Sequence, residues 1–312
     1  MIGNWIRGQI RIIIGFFRRM KVLNINWYPG HMVKTKRQIE EDIKLIDVVL
    51  EILDARIPIS SQNPDIKQII KNKKRIILLN KSDLSDKTEN VKWVKYFKSQ
   101  GIPAVLTNSN TGSGIKEVLK EIENIMEDDM KKNIVKGRVG KQIRTIILGI
   151  PNVGKSSLIN KITNKKSAEV GNKPGVTKQK QWVHLSNKID LLDTPGVLWP
   201  RFENEEVALN LSFVGTIKEE NIDKTELAYQ LIKRLEKDYL GNILNRYKIE
   251  EQEYMELEKE QNRLYSLMEL IGRKRGALLP GNKVDVDKTA GVILDEFRSA
   301  KLGNITLETV NV

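Results

Sequence analysis

The chain has 312 residues, with 53 Lys and Arg against 40 Asp and Glu, a net charge of +13, no cysteine and two histidines. This excludes disulfide scaffolds, thiolate metal centres and cysteine catalysis, and leaves too few ligands for a multi-histidine metal site. At 40% hydrophobic and 30% charged residues it reads as a globular chain of two-domain length, whose basicity points to a polyanionic partner. The charge is uneven. Residues 1–39 hold eight basic and no acidic side chains, whereas residues 200–312 hold 17 basic and 21 acidic ones, so a partner such as RNA is expected first along the N-terminal two thirds.

Residues 1–19, MIGNWIRGQIRIIIGFFRR, interleave basic and bulky apolar side chains. The apolar run from Ile12 to Phe17 falls far short of the roughly 20 residues a bilayer span needs, so no stable membrane insertion is expected. The stretch also lacks the serines of a transit peptide and a small-residue cleavage site; Met20 is the favoured start, and a membrane-surface or targeting role is the alternative. From His31 to Ile46, apolar residues at 32, 39, 43 and 46 predict an amphipathic helix. Strands are expected over 47–53, 75–79, 102–106, 143–148 and 189–192. Helices are expected from Pro64 and after the Gly-rich turn at 111–114, and this alternation means a parallel α/β sheet. His184 falls in an alternating segment and is expected to be a half-buried strand residue. Beyond Pro200 the periodicity turns helical over 205–216, 225–239 and 250–271. The expected layout is an extension (1–24), an α/β domain (25–200) and a helical, RNA-contacting domain (201–312).

Gly149-Ile-Pro-Asn-Val-Gly154-Lys155-Ser156 satisfies G-x-x-x-x-G-K-[ST] between an expected strand and an expected helix. Such a loop turns backbone N–H groups onto phosphate oxygens at a helix N-terminus, which makes Asn152, Val153, Gly154, Lys155, Ser156 and Ser157 candidate contacts. Lys155 would bridge the outer phosphates and Ser156 would ligate Mg²⁺. Asn80-Lys81-Ser82-Asp83 closes the strand before it, where the Asp83 carboxylate can accept two hydrogen bonds from guanine and the stem of Lys81 can lie along the base. Asn108 and Ser109 fit a loop whose backbone touches guanine O6. Asp193-Thr-Pro-Gly196 ends a strand, with Asp193 as a second-shell Mg²⁺ group and Gly196 facing the γ-phosphate, and Thr177 can complete the Mg²⁺ shell. In ordinary GTPases the phosphate loop precedes N-K-x-D. Here it follows, so the fold expected is a circularly permuted P-loop GTPase domain, a parallel sheet flanked by helices, with a smaller helical domain attached directly after the γ-phosphate sensor.

The chain resembles the ribosome biogenesis GTPase A family of bacteria. The likeness runs through Trp27-Tyr-Pro-Gly-His31-Met, Asp54-Ala-Arg-Ile-Pro58, N-K-S-D, G-I-P-N-V-G-K-S-S, L-L-D-T-P-G-V-L-W-P, Ile271-Gly-Arg-Lys-Arg-Gly276 and Asp287-Lys-Thr289. The resemblance implies a GTP- and GDP-binding factor of the cytoplasm, monomeric off the ribosome, that binds a late precursor of the large ribosomal subunit and hydrolyses GTP on release. Relatives that act in mitochondria make the mitochondrial matrix the alternative location. Val197 stands where many GTPases place a water-orienting Gln, and the resemblance puts the catalytic histidine at His31. The same vacancy allows a second reading, a nucleotide-gated RNA-binding module with negligible turnover. By resemblance to K⁺-dependent GTPases, Asn152 can coordinate a potassium ion beside the phosphates. RNA contact is expected at Lys34, Lys36 and Arg37, and at Arg273, Lys274 and Arg275.

Overall fold

The computed structural model describes residues 31–70, 73–163, 181–193, 204–217 and 223–310. Six strands, β1 (Val48–Asp54), β2 (Lys74–Asn80), β3 (Ala104–Leu106), β4 (Ile143–Leu148), β5 (Gln181–Ser186) and β6 (Ile189–Asp193), form one sheet in the order β3-β2-β1-β4-β6-β5. All neighbouring pairs are parallel except β5, which runs antiparallel to β6 at the edge. Every residue of β1 is buried, as a central parallel strand covered on both faces requires.

The alternation of β1 sorts the helices. Val49 and Leu53 face α1 (His31–Asp42), α2 (Pro64–Ile70) and α3 (Lys87–Ser99), through Ile39, Ile66, Ile70, Trp93 and Phe97. Val48, Leu50 and Ile52 face α4 (Ile115–Val135) and α5 (Lys155–Thr163), through Val118, Ile122, Leu158 and Ile159. The helix expected to end at Ile46 closes as a 3₁₀ turn, Ile43–Leu45, that leads into β1. Helix α3 adds an element between β2 and β3 that the sequence pattern does not predict. Its signal was Asp86, whose side chain accepts from Thr88 N and Glu89 N, followed by Trp93 and Phe97 at helical spacing.

The second half holds α6 (Glu205–Phe213), α7 (Lys224–Tyr247, kinked at Tyr239), α8 (Glu251–Leu257), α9 (Arg263–Lys274), the hairpin β7 (Leu278–Leu279) and β8 (Lys283–Val284), and α10 (Val286–Arg298). The single helix expected over 250–271 is two. Residues 258–262, Glu-Lys-Glu-Gln-Asn, offer no apolar side chain to bury, so α8 stops and α9 restarts after Asn262. Ala290, Ile293, Leu294 and Phe297 of α10 pack with Leu231 and Leu235 of α7 in the same apolar cluster as Leu50 and Leu158. No helix among the described residues is long and apolar enough to cross a membrane.

Candidate nucleotide site

The C-terminal ends of β1, β2 and β4 open on a cavity of about 350 Å³, the end of a parallel sheet where ligands bind. Lys81, Asp83 and Asn108 line one side and Asn152, Gly154 and Ser157 the other, while Val214 and Arg298 come from the helical half. The N-K-S-D loop, the G-x-x-x-x-G-K-S loop and the Asn108 loop therefore meet at one cavity.

Asn80 holds the three loops together. Its fully buried amide donates to Val153 O at 2.6 Å, and its oxygen accepts from Thr107 Oγ1 (3.2 Å), Ser109 N (3.0 Å) and Ser109 Oγ (2.8 Å). Gly154 must be glycine twice over: its φ is +96°, and a Cβ would lie 2.4 Å from Asn80 Nδ2. Ser82 donates to Thr107 O through N (3.2 Å) and Oγ (3.0 Å). The Asn108 side chain accepts from Asn110 N (2.8 Å) and Thr111 N (3.1 Å), which makes it a turn former.

Lys81, with φ +58°, sends its ammonium to Asp54 Oδ2 at 3.0 Å. Asp54 in turn accepts both Arg56 Nε (2.9 Å) and Nη2 (2.8 Å), and the side chains of Arg56 and Asp54 are only 2% and 1% exposed. Burial alone would raise the Asp54 carboxyl, but Arg56 and Lys81 outweigh it and hold the group well below the usual carboxylate range. Burial pushes the Lys81 ammonium down, against the pull of Asp54. Arg56 also donates to Arg298 O at 3.3 Å, with its guanidinium 5.7 Å from the centre of the Phe297 ring. Asp54 ends and Arg56 follows a buried, mostly apolar strand otherwise broken only by Glu51, and an acid and a base at its end are the residue-level signal for them.

On the phosphate side Lys155 opens α5 and is buried, and Ser156 and Ser157 follow in its first turn. Asn152, with φ +63°, donates from Nδ2 to Gly215 O at 2.9 Å, just after α6. Among the described residues no three His, Asp or Glu side chains gather to hold a metal by themselves. The hydroxyl of Ser156, at the start of α5, is a candidate Mg²⁺ ligand beside phosphate and water. Asp193 ends β6, with its side chain outside the described residues, as are Thr177, Gly196 and Val197 entirely.

His31 is the first residue of α1, and its side chain and those of Lys34 and Lys36 lie outside the described residues; Arg37 is exposed. Lys274 pairs with Glu253 at 2.9 Å, and Arg275 with Glu296 at 2.6 Å, a carboxylate that Arg246 also holds at 2.7 Å. Arg273 donates to Asn282 O at 3.3 Å. His184 is in a strand, but its side chain is 75% exposed and pairs with Asp190 at 2.5 Å, a correction explained by its place on the edge strand.

Residues 144–269 match the family described as 50S ribosome-binding GTPase, and residues 66–203 the family described as RsgA GTPase. Ribosome biogenesis GTPase A of Bacillus cereus is 41% identical over 285 residues, covering 91% of this chain and 94% of that protein. The protein of the same name from Thermotoga maritima is 31% identical over 287 residues, with 91% and 94% covered. The solved structure of GNP-bound YlqF from T. maritima has a TM-score of 0.60 at 28% identity, covering 88% of this chain and 98% of that one. Likeness of this extent spans both the permuted sheet and the helices that follow it, and the chain belongs to the ribosome biogenesis GTPase A family.

Proposed function

We propose that this GTPase binds a late precursor of the large ribosomal subunit and uses GTP hydrolysis, stimulated by that subunit, to time its release. The observation that carries this is the hydrogen bond from Asn152 of the phosphate loop to Gly215 O, because it ties the nucleotide's surroundings to the helical half. A change of nucleotide at the loop then changes the contacts of the segment beside it, which is how a γ-phosphate biases a two-state element. Asp83 serves as guanine acceptor, Lys155 as phosphate clamp, and Ser156 and Thr177 as Mg²⁺ ligands with Asp193 behind them. Bound Mg²⁺ supplies positive charge against the phosphates. The Asn152 oxygen is the candidate potassium ligand, its amide nitrogen being engaged by Gly215. His31 is the proposed group that orients the attacking water, since Val197 has no hydrogen bond to offer. The bacterial relatives support action in the cytoplasm, and off the ribosome the protein is proposed to be a monomer.

Sedimentation through sucrose with a non-hydrolysable GTP analogue tests the reading. The protein should travel with large-subunit particles under the analogue and leave them under GDP; travel independent of nucleotide would reject the switch. On the same particles His31→Ala should bind as wild type does and slow single-turnover hydrolysis by about 10² to 10⁴. Wild-type turnover that stays negligible with particles present would favour the RNA-binding module instead.

A further inference from the structure

The chain beyond α10 returns to the base loop. Gly303, with φ +100°, makes the turn, where a Cβ would stand 2.2 Å from Asn242 Nδ2, the group that donates to Leu302 O at 2.8 Å. Asn304 Nδ2 then donates to Asp83 O at 2.6 Å and to Ser85 O at 3.2 Å. Ile305 N donates to Leu84 O at 3.2 Å, and Asp86 N donates to Thr306 Oγ1 at 3.0 Å. Each of residues 83–86 thus gives a backbone group to residues 304–306. Leu307 N continues to Arg56 O at 2.8 Å, beside the Asp54 and Lys81 pair. The Glu308 carboxylate ends the strap by accepting from Ile59 N (2.6 Å), Ser60 N (2.9 Å) and Asn210 Nδ2 (3.2 Å), while Trp93 Nε1 donates to its carbonyl at 2.9 Å.

The carboxylate assigned to guanine is carried by an exposed residue, so its angle is set by the backbone beneath it. That backbone is pinned from outside the sheet. A two-point contact with a base loses strength steeply when the acceptor swings. We propose that Asn304, with Ile305 and Thr306, positions Asp83 for guanine, so that affinity for the base depends on a segment that follows the helical half. The inference rests on Asp83 being the guanine acceptor, as proposed above.

Calorimetric titration of the full chain in Mg²⁺ buffer with GDP, ADP and inorganic pyrophosphate tests it. Wild type should prefer GDP to ADP, and absence of that preference would reject the guanine assignment itself. With the preference established, Asn304→Ala should weaken GDP about tenfold, the scale of a lost or misaligned hydrogen bond, and leave pyrophosphate within about twofold. Steady-state hydrolysis should show a raised KM for GTP at unchanged kcat. Unchanged GDP affinity, or equal loss for GDP and pyrophosphate, would overturn the positioning role. Asn304→Ser, which keeps a shorter donor, carries the same comparison should the alanine variant fold poorly, and its loss for GDP should be smaller.

Discussion

Asn80 shows how few atoms join the site: one amide reaches Val153, 73 residues downstream, and closes the base loop against the phosphate loop. Recognition of the base is proposed for Asp83 of the same loop. Asp83→Asn replaces an acceptor with a mixed donor and acceptor, and should cost GTP roughly 1.5–3 kcal/mol per lost bond while favouring xanthosine nucleotides, as competition titrations would read. Asp54→Asn would leave Arg56 and Lys81 facing each other without a carboxylate, a loss of about 3–5 kcal/mol in denaturant unfolding. Its effect on pH dependence has a definite sign. The Asp54 carboxyl is lower in the folded than in the unfolded chain, so its stabilisation is complete above the ordinary carboxylate pKa of about 4 and is lost as pH falls below it. The variant's acid unfolding curve should therefore be flatter than wild type's. The two nucleotide motifs were legible because each is a contiguous run whose chemistry is local. Asn304 was not, because its partner Asp83 O lies 221 residues away, and the place of Asp54 and Arg56 in the site depends on Lys81 and Arg298 O, which are also distant in sequence.

At the scale of elements, the strands were readable from their apolar runs, and α3 and the break between α8 and α9 were not. Helix α3 intersperses Lys and Glu among its apolar residues, and its clearest signals are the capping Asp86 and the Trp93–Phe97 pair. The strand-to-helix turn before α5 leaves its glycine little freedom. Gly154→Ala would force an L side chain into φ +96° and drive its methyl toward Asn80 Nδ2, costing about 1–2 kcal/mol in the backbone alone. GDP affinity measured with a fluorescent analogue should fall at least about tenfold, whereas Gly101→Ala, also at positive φ but in open space, should leave it unchanged.

For the whole molecule, the excess positive charge of residues 1–199 predicts particle binding that weakens steeply with salt, and the basic cluster closing α9 divides on inspection. Arg275 holds Glu296, whose side chain is 5% exposed, so Arg275→Glu should lower the melting temperature by several degrees. Arg273→Glu with Lys274→Glu should weaken association with large-subunit particles in sedimentation and spare both GTP binding and melting temperature. Sequence position has a further consequence, one of timing. Asn80 emerges during synthesis long before Val153, and Asp83 before Asn304. At about 5–20 residues per second, Val153 follows Asn80 by roughly 4–15 seconds and Asn304 follows Asp83 by roughly 10–45 seconds. A nascent chain stopped after Ser109 and before Asn304 carries the residues proposed to touch guanine and lacks the segment proposed to position Asp83, so full affinity for the base is expected only late in translation.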